Sequence, residues 1–464
     1  MSLGGRARGV QRAGQGPTSG VELASDALLA LGAAGVAALT ALIGLGVVSR
    51  EPTLLPLVLG ALALASFLLW QPRWIVPAFV GLTWAALPGH VFGGLPSPVE
   101  AGGVMLLAFA GWRALARPVL AGSVLVMMAL LAVPLVVSAA LGPEGAGLPV
   151  SDLRELLFLF IVALCVFGPG SVERVVTGLV ITALILGIGG ICSVLIGPSG
   201  LFPVVTDVIT AIEPEAPRAA GPFGEPNFFA LSLAALTPFA LYVASRGGWR
   251  RWLGVAALVA IAGGIMAAGS RGGGLAMVFG LVAFAATTRS KRVRVAAVGT
   301  LVAAVALLPF FAGQAESSSS RSVSGRETEN RIALAMFGDY PVTGVGPHQY
   351  ENLYRQYSRN IGQDLRTVRA PHSLLLEIAA DQGLVGIVGW SVAAVLFLSY
   401  VLSRGAWRTT LGRALLLAVA TYMFGSLFLH GSQLRLLFIL VGLAMAYATD
   451  LVPEKPPRPR PEGV

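Results

Sequence analysis

Apolar runs separated by short polar turns fill most of the chain, near 24–49, 54–70, 74–88, 99–112, 119–141, 153–168, 172–196, 227–245, 251–269, 273–288, 295–312, 383–403, 412–429 and 434–449. Crossing about 30 Å of hydrocarbon takes a helix of roughly 20 residues, and most of these runs approach that length. The runs at 74–88, 99–112 and 273–288 fall short, so fourteen spans are predicted, with twelve if the short runs are re-entrant or paired. A long polar stretch breaks the pattern from Gln314 to Ala370 and ends at Pro371-His372. It holds Arg321, Arg326, Arg331, Arg355, Arg359, Arg366 and Arg369, six acids, His348 and no lysine.

Composition agrees with the pattern. Hydrophobic residues are 55% and charged residues 12% of 464, with a mean hydropathy of +0.78; a soluble domain carries about 25% charged residues. The chain is therefore expected to be an all-α, polytopic transmembrane bundle, because a β-barrel shows short alternating segments instead of long apolar runs. No cleavable leader is expected: Met1 to Gly20 is a polar, Arg-rich arm, and the first apolar run is long enough to span. Cys165 and Cys192 fall within apolar runs and read as small buried hydrophobes.

Charge sets the expected orientation. With the N-terminus inside, Arg73, Arg113, Arg117, Arg174, Arg246, Arg250, Arg251, Arg289, Lys291, Arg404, Arg408 and Arg413 all face the cytoplasm. That is the positive-inside bias, and it puts the long polar stretch outside. The expected organisation is a cytoplasmic arm (1–23), an N-terminal bundle (24–196), an outer loop (197–226), a transmembrane core (227–312), a long outer loop (313–371), C-terminal helices (372–449) and a disordered cytoplasmic tail (450–464).

Local signals concentrate on the outer side. Pro226-Asn227 reads as a helix entry with Asn227 as cap. Gly269-Ser-Arg271-Gly reads as a sharp hairpin, and arginine at membrane depth is costly unless it snorkels or meets an anion. Arg218, Arg271 and Arg326 can thus converge on one anionic group. Ser324 with Glu327 reads as a capping box opening a short interfacial helix with an apolar face of Ile332, Leu334, Ala335 and Met336. Thr343-Gly344-Val-Gly346-Pro347 reads as a turn that brings N–H groups toward an oxyanion. Tyr354, Tyr357 and Asn360 suit sugar hydroxyls. His372 then heads an amphipathic run containing Glu377, before Gly383 and Gly386.

The order Arg218, Gly221, Phe223, Asn227, then Ser270-Arg271-Gly272, Gly325-Arg326, Pro341, Gly344-Val345-Gly346, and His372 with Glu377, Gly383 and Gly386 resembles the O-antigen ligase and polymerase family of bacterial membrane glycosyltransferases. The resemblance covers about 215–390. Family members usually carry His-Asn where this chain has His372-Ser373.

The resemblance implies a GT-C-like architecture in the bacterial cytoplasmic (inner) membrane, with the active face extracytoplasmic. It also implies transfer of a glycan from an undecaprenyl diphosphate carrier to a hydroxyl on another glycan, lipid A core or a different acceptor. Arg326 and Arg218 would hold the diphosphate through bidentate donors, and His372 would serve as base. Arg271, Gly344, Gly346, Glu377, His348 and Asn227 would line the substrate site, with Glu377 orienting His372. No D-x-D-like pair lies on the outer face, so neither metal nor cofactor is expected, and attack opposite the diphosphate would invert the anomeric centre. Membrane lipids are expected partners and nucleic acid is not. A secondary transporter or channel-like protein is the alternative class; internal repeats and ionisable groups at mid-membrane depth would mark it, and the apolar runs show neither.

Overall fold

The structure, a computed structural model, describes residues 71–85, 98–143, 147–168, 170–197, 204–205, 218–288, 290–307, 321–362, 371–429 and 434–452. The expected spans at 24–49 and 54–70, the polar arm and the tail from 453 lie outside these residues. So do Arg366 and Arg369, and the side chain of Arg326.

The helices are α1 (Ile75–Trp84), α2 (Pro98–Ala116), α3 (Pro118–Leu141), α4 (Val150–Cys165) and α5 (Ser171–Leu195). A two-residue antiparallel ladder, Val204–Val205 with Arg218–Ala219, follows. Then come α6 (Pro226–Ala235), α7 (Thr237–Ser245), α8 (Trp249–Ala267), α9 (Arg271–Thr287) and α10 (Lys291–Leu307). The polar stretch supplies α11 (Arg321–Asp339) and α12 (Gln349–Asn360), and α13 (Leu374–Ser403), α14 (Thr410–Gly425) and α15 (Leu434–Leu451) complete the bundle.

The fold is a polytopic all-α bundle. Among the described residues, seven helical stretches are long and apolar enough to cross a membrane, fewer than the twelve to fourteen expected. Part of the difference lies outside the described residues, and part arises because α1, α4, α9 and α10 are 10, 16, 17 and 17 residues long. Burial follows position in the bundle. The α6–α7 span is 94% buried and forms its centre, whereas the spans in α3 and α13 are 33% and 28% buried. On those outer helices Val126, Val133, Val388, Val392 and Val395 stand exposed, as expected where apolar surface meets lipid on one side and protein on the other.

Two breaks shape the interior. The 227–245 run is divided at Leu236, where Pro238 follows without an N–H to continue the ladder. The 383–403 run begins earlier than expected, at Leu374, and bends at Gly383, whose φ of 62° and ψ of −154° lie outside helical space. Asn227 is not the cap of α6. Glu225 takes that role, accepting from the Phe228 N–H at 2.7 Å. Ser324 likewise lies inside α11, which begins at Arg321.

Long-range ion pairs mark one end of the bundle. Arg117 at the start of α3 meets Asp450 at the end of α15 at 3.0 Å. Glu173 at the start of α5 meets Arg246 and Arg250 at 3.3 and 2.6 Å, and Arg113 lies 3.9 Å above the Phe167 ring. Following α3 from Arg117 to Ser138, whose hydroxyl donates to the Asp381 carbonyl, carries the chain to the opposite end. The polar stretch docks there.

Candidate functional site

The polar stretch builds its own small core on that end. Ile332, Ala333 and Met336 of α11 pack with Val345, Tyr350, Leu353, Tyr354, Tyr357 of α12 and with Ala380 of α13. The apolar face of α11 therefore differs from the expected one: Leu334 is 54% exposed, and Ala333 takes its place inside. Tyr354 and Tyr357 do not face solvent as sugar ligands. They are 1% and 6% exposed, and the Tyr357 hydroxyl donates to Asp339 at 2.7 Å. Asn360 is exposed.

Between α11 and α12 the chain lies backbone-to-backbone along the bend of α13. Val345 N–H donates to the Ala380 carbonyl at 2.8 Å and Gly346 N–H to the Asp381 carbonyl at 3.0 Å. Leu384 and Val385 N–H groups, freed by the bend, donate to Pro341 and Val342 at 2.8 and 3.1 Å. Gly344, at φ 67°, permits this approach, since a Cβ there would meet the Ala380 carbonyl and the Gln382 nitrogen at 2.5 Å. The N–H groups of this turn, expected to face an oxyanion, are thus committed to the backbone. Gly344 donates to Tyr340. Gly344 and Gly346 are docking residues in this geometry.

This docking places His372 against α11. Its Nε2 lies 3.2 Å from Oε2 of Glu329, a contact that becomes an ion pair when the imidazole is protonated; the carboxylate is 1% exposed and the histidine 22%. Glu329 is held from behind: the Tyr350 hydroxyl donates to its carbonyl at 2.9 Å, and burial pushes the Tyr350 phenol up, keeping it a donor. Glu329 is thus an acid beside His372 that sequence reasoning missed; Glu377 was the acid expected there. Arg326 lies one turn earlier on the same helix, and the i, i+3 spacing puts both positions near one face.

Beside the pair opens a cleft of about 130 Å³. Asp152, His348, Glu351, Glu377 and Asp381 line its polar side, and Leu131, Leu135, Leu156, Trp390, Leu434 and Phe438 its apolar side. Pro371 and Tyr350 belong to its wall, so the cleft adjoins His372 and Glu329. His348 closes one rim. Its Nε2 contacts Asp152 of α4 at 3.0 Å, and the hydrogen bond pushes the imidazole up to about 9 despite partial burial. It is also the one described non-glycine residue at positive φ, 60°, with its N–H directed to Asp381 Oδ2 at 3.4 Å.

A second polar group sits at the entrance to α6 and α9. Arg218 Nε donates to the Ala268 carbonyl at 2.9 Å. Ser270, the cap of α9, donates to Asn227 Oδ1 at 2.9 Å, and Asn227 Nδ2 donates to Glu225 at 2.8 Å. Arg271 follows Ser270 and is exposed. The structure thus gathers Arg218, Asn227 and the Arg271 turn into one group, and His372, Glu377, His348 and the Gly344 turn into a second. Among the described residues, no group of three or more His, Cys, Asp or Glu side chains is arranged to hold a metal ion.

These two groups lie within or beside the stretch that other proteins share. The sequence pattern of one family, O-antigen ligase, matches residues 256–391, from α8 through the bend of α13. No curated protein matches the chain. The chain is a polytopic membrane protein related, over that stretch, to the O-antigen ligase family.

Proposed function

We propose that the protein is a glycosyltransferase of the bacterial cytoplasmic membrane, moving a glycan from undecaprenyl diphosphate to an acceptor hydroxyl on the extracytoplasmic face. The observation that carries this reading is the coincidence of the O-antigen ligase match, residues 256–391, with the stretch that sets His372 beside buried Glu329. In the proposed step the acceptor oxygen bonds to the anomeric carbon as that carbon's bond to the diphosphate oxygen breaks, inverting the centre. With Nε2–H turned to Glu329, the hydroxyl proton passes to His372 Nδ1, and the negative charge of Glu329 stabilises the imidazolium that results. The departing diphosphate carries the bonding electrons and is held by arginine, for which Arg326 and Arg218 are assigned and Arg271 assists. Glycan polymerase and glycan ligase are both within this reading, the acceptor being a growing glycan, lipid A core or another hydroxyl.

The breaks at Leu236 and Gly383 are of a kind also met in secondary transporters, so the test must not depend on the fold. Purified protein in proteoliposomes, given undecaprenyl diphosphate-linked glycan and acceptor with no solute gradient, is expected to form the new glycosidic bond. Gradient-dependent uptake of solute with no transfer would favour the transporter reading instead.

A further inference from the structure

We infer that Asn227 is a positioning residue: its carboxamide ties the entrance of α6 to the α8–α9 turn and thereby holds Arg218 and Arg271 in register as one anion-holding pair. That the anion is the diphosphate of a lipid carrier rests on the glycosyltransferase reading above; the hydrogen-bonded link does not.

The link is a directed chain of hydrogen bonds between two helix starts. Gly273 N–H, in the first turn of α9, donates to Ser270 Oγ at 3.2 Å, and the Ser270 hydroxyl donates onward to Asn227 Oδ1 at 2.9 Å. Asn227 Nδ2 donates to Glu225 Oε1 at 2.8 Å, and Glu225 Oε2 accepts from the Phe228 N–H in the first turn of α6 at 2.7 Å. Each direction is forced. A carboxylate only accepts, so Nδ2 must face Glu225, and the amide oxygen left facing Ser270 must receive the hydroxyl proton. Turning the amide over would set two acceptors against each other at Glu225. Both ends of the carboxamide are thus met within the protein, whereas a ligand-binding role would turn them to the substrate.

Packing brings the arginine-bearing segments onto the same frame. A Cβ on Gly273 would meet the Ala230 Cβ at 2.4 Å, so the first turns of α9 and α6 are in close contact. Gly221, at φ 56°, seats the segment that carries Arg218 on the Phe229 ring of α6, where a Cβ would lie 2.4 Å from Cδ2. Arg218 Nε donates to the carbonyl of Ala268, the residue that ends α8, three positions before Arg271. A helix C-terminus attracts a cation, and this bond leaves both Nη groups of Arg218 for another partner. Two guanidinium groups on separate segments grip one anion well only if their spacing is set beforehand, because ordering them on binding costs affinity. Asn227 supplies the bond between those segments.

The test is equilibrium binding of radiolabelled pyrophosphate to the full chain in nanodiscs, with empty nanodiscs subtracted and thermal unfolding confirming that each variant is folded. Saturable binding is expected in wild type. Above neutral pH, Asn227→Asp sets a second carboxylate against Glu225 and is expected to weaken binding about tenfold. The exchange variant, Glu225→Gln with Asn227→Asp, restores donor and acceptor in the opposite sense and is expected to return to within about threefold of wild type. A ligand role for Asn227 would leave the exchange variant as weak as Asn227→Asp, because its carboxylate would still face the anion. Arg271→Ala is expected to cost about tenfold in wild type but less than about twofold in the Asn227→Asp background, since residues acting as one unit are not additive; a merely structural role would give the same factor in both. Absence of saturable binding, wild-type affinity in Asn227→Asp, no recovery in the exchange variant, or additive losses overturns the inference. Should Asn227→Asp fail to fold, Ser270→Gly decides: it cuts the link at a cap position that tolerates glycine, and unchanged affinity there overturns the inference. In the transfer assay, Asn227→Asp is expected to raise the donor KM and leave the acceptor KM unchanged, and the reverse would overturn the role. Pyrophosphate binding that follows this pattern in a protein that performs no transfer would keep the positioning role and remove the glycosyltransferase reading.

Discussion

Glu329→Gln isolates the charge that stands behind the proposed base. The substitution keeps side-chain shape, and the Tyr350 hydroxyl is undisturbed because it donates to the Glu329 backbone carbonyl. What disappears is a negative charge 3.2 Å from His372 Nε2. Two unit charges at that distance interact by about 5 kcal/mol at an effective dielectric near 20. The carboxylate is 1% exposed, so much of that attraction offsets the cost of burying it. A net loss of roughly 2.7 kcal/mol in stabilising the imidazolium corresponds to a transfer rate lower by about 10²-fold. The assay is single-turnover transfer at saturating donor, run beside binding of the carrier lipid. Carrier binding is expected to change little, because arginine is assigned to it, and Glu329→Asp is expected to lie between Gln and wild type. A wild-type rate in Glu329→Gln, or a loss of carrier binding as large as the loss of rate, would refute the reasoning.

Three further outcomes follow from the geometry. Gly344→Ala should lower stability by about 2 to 4 kcal/mol, from a left-handed φ and from a Cβ forced onto the Ala380 carbonyl and the Gln382 nitrogen; an unchanged thermal midpoint would contradict the docking role. His348 titrates higher folded than its ordinary 6.5, at about 9, so its contact with Asp152 stabilises fully below pH 6.5 and is lost as pH rises through about 9. The thermal midpoint of wild type is accordingly expected to fall more between pH 6 and 10 than that of Asp152→Asn, and parallel pH profiles would count against the contact. For orientation, a cysteine at the exposed Asn360 should react with an impermeant thiol reagent in intact spheroplasts, while one at Ser290 should react only after lysis; the reverse would put the candidate site in the cytoplasm.

Much of this arrangement was legible in the sequence because it is local. Apolar runs marked α3, α5, α8, α14 and α15 to within a few residues, since hydrophobic length is what a membrane demands. His372 stood out as the residue where a polar stretch re-enters an apolar one. The first helix of the polar stretch was foreshadowed by its capping signal and apolar face, although Arg321 rather than Ser324 begins α11; α12 was not foreseen as a helix. The rest depends on which distant residues meet. Nothing local to Glu329 distinguishes it from Glu327, which forms an i, i+4 pair with Arg331 at 2.6 Å; only the docking of α11 on α13 selects the one that is buried. His348 and Asp152 are 196 positions apart. The tyrosines of α12 were misplaced for a related reason: a polar, arginine-rich helix suggests an open surface, whereas Tyr350, Tyr354 and Tyr357 fall on the one face it buries. Glycines in a chain holding 58 of them carry little information singly, and Gly344 acquires its meaning from the bend at Gly383 opposite it.

The central claim is that His372 takes a proton from an acceptor hydroxyl, and His372→Gln addresses it most directly. Glutamine can hydrogen-bond to the hydroxyl but cannot accept its proton. In single-turnover transfer from undecaprenyl diphosphate-linked glycan at saturating donor, His372→Gln is expected to be slower by about 10² to 10⁴-fold while binding of the carrier lipid stays near wild type. Wild-type transfer in His372→Gln would contradict the account, and so would a fall in carrier binding that matched the fall in rate.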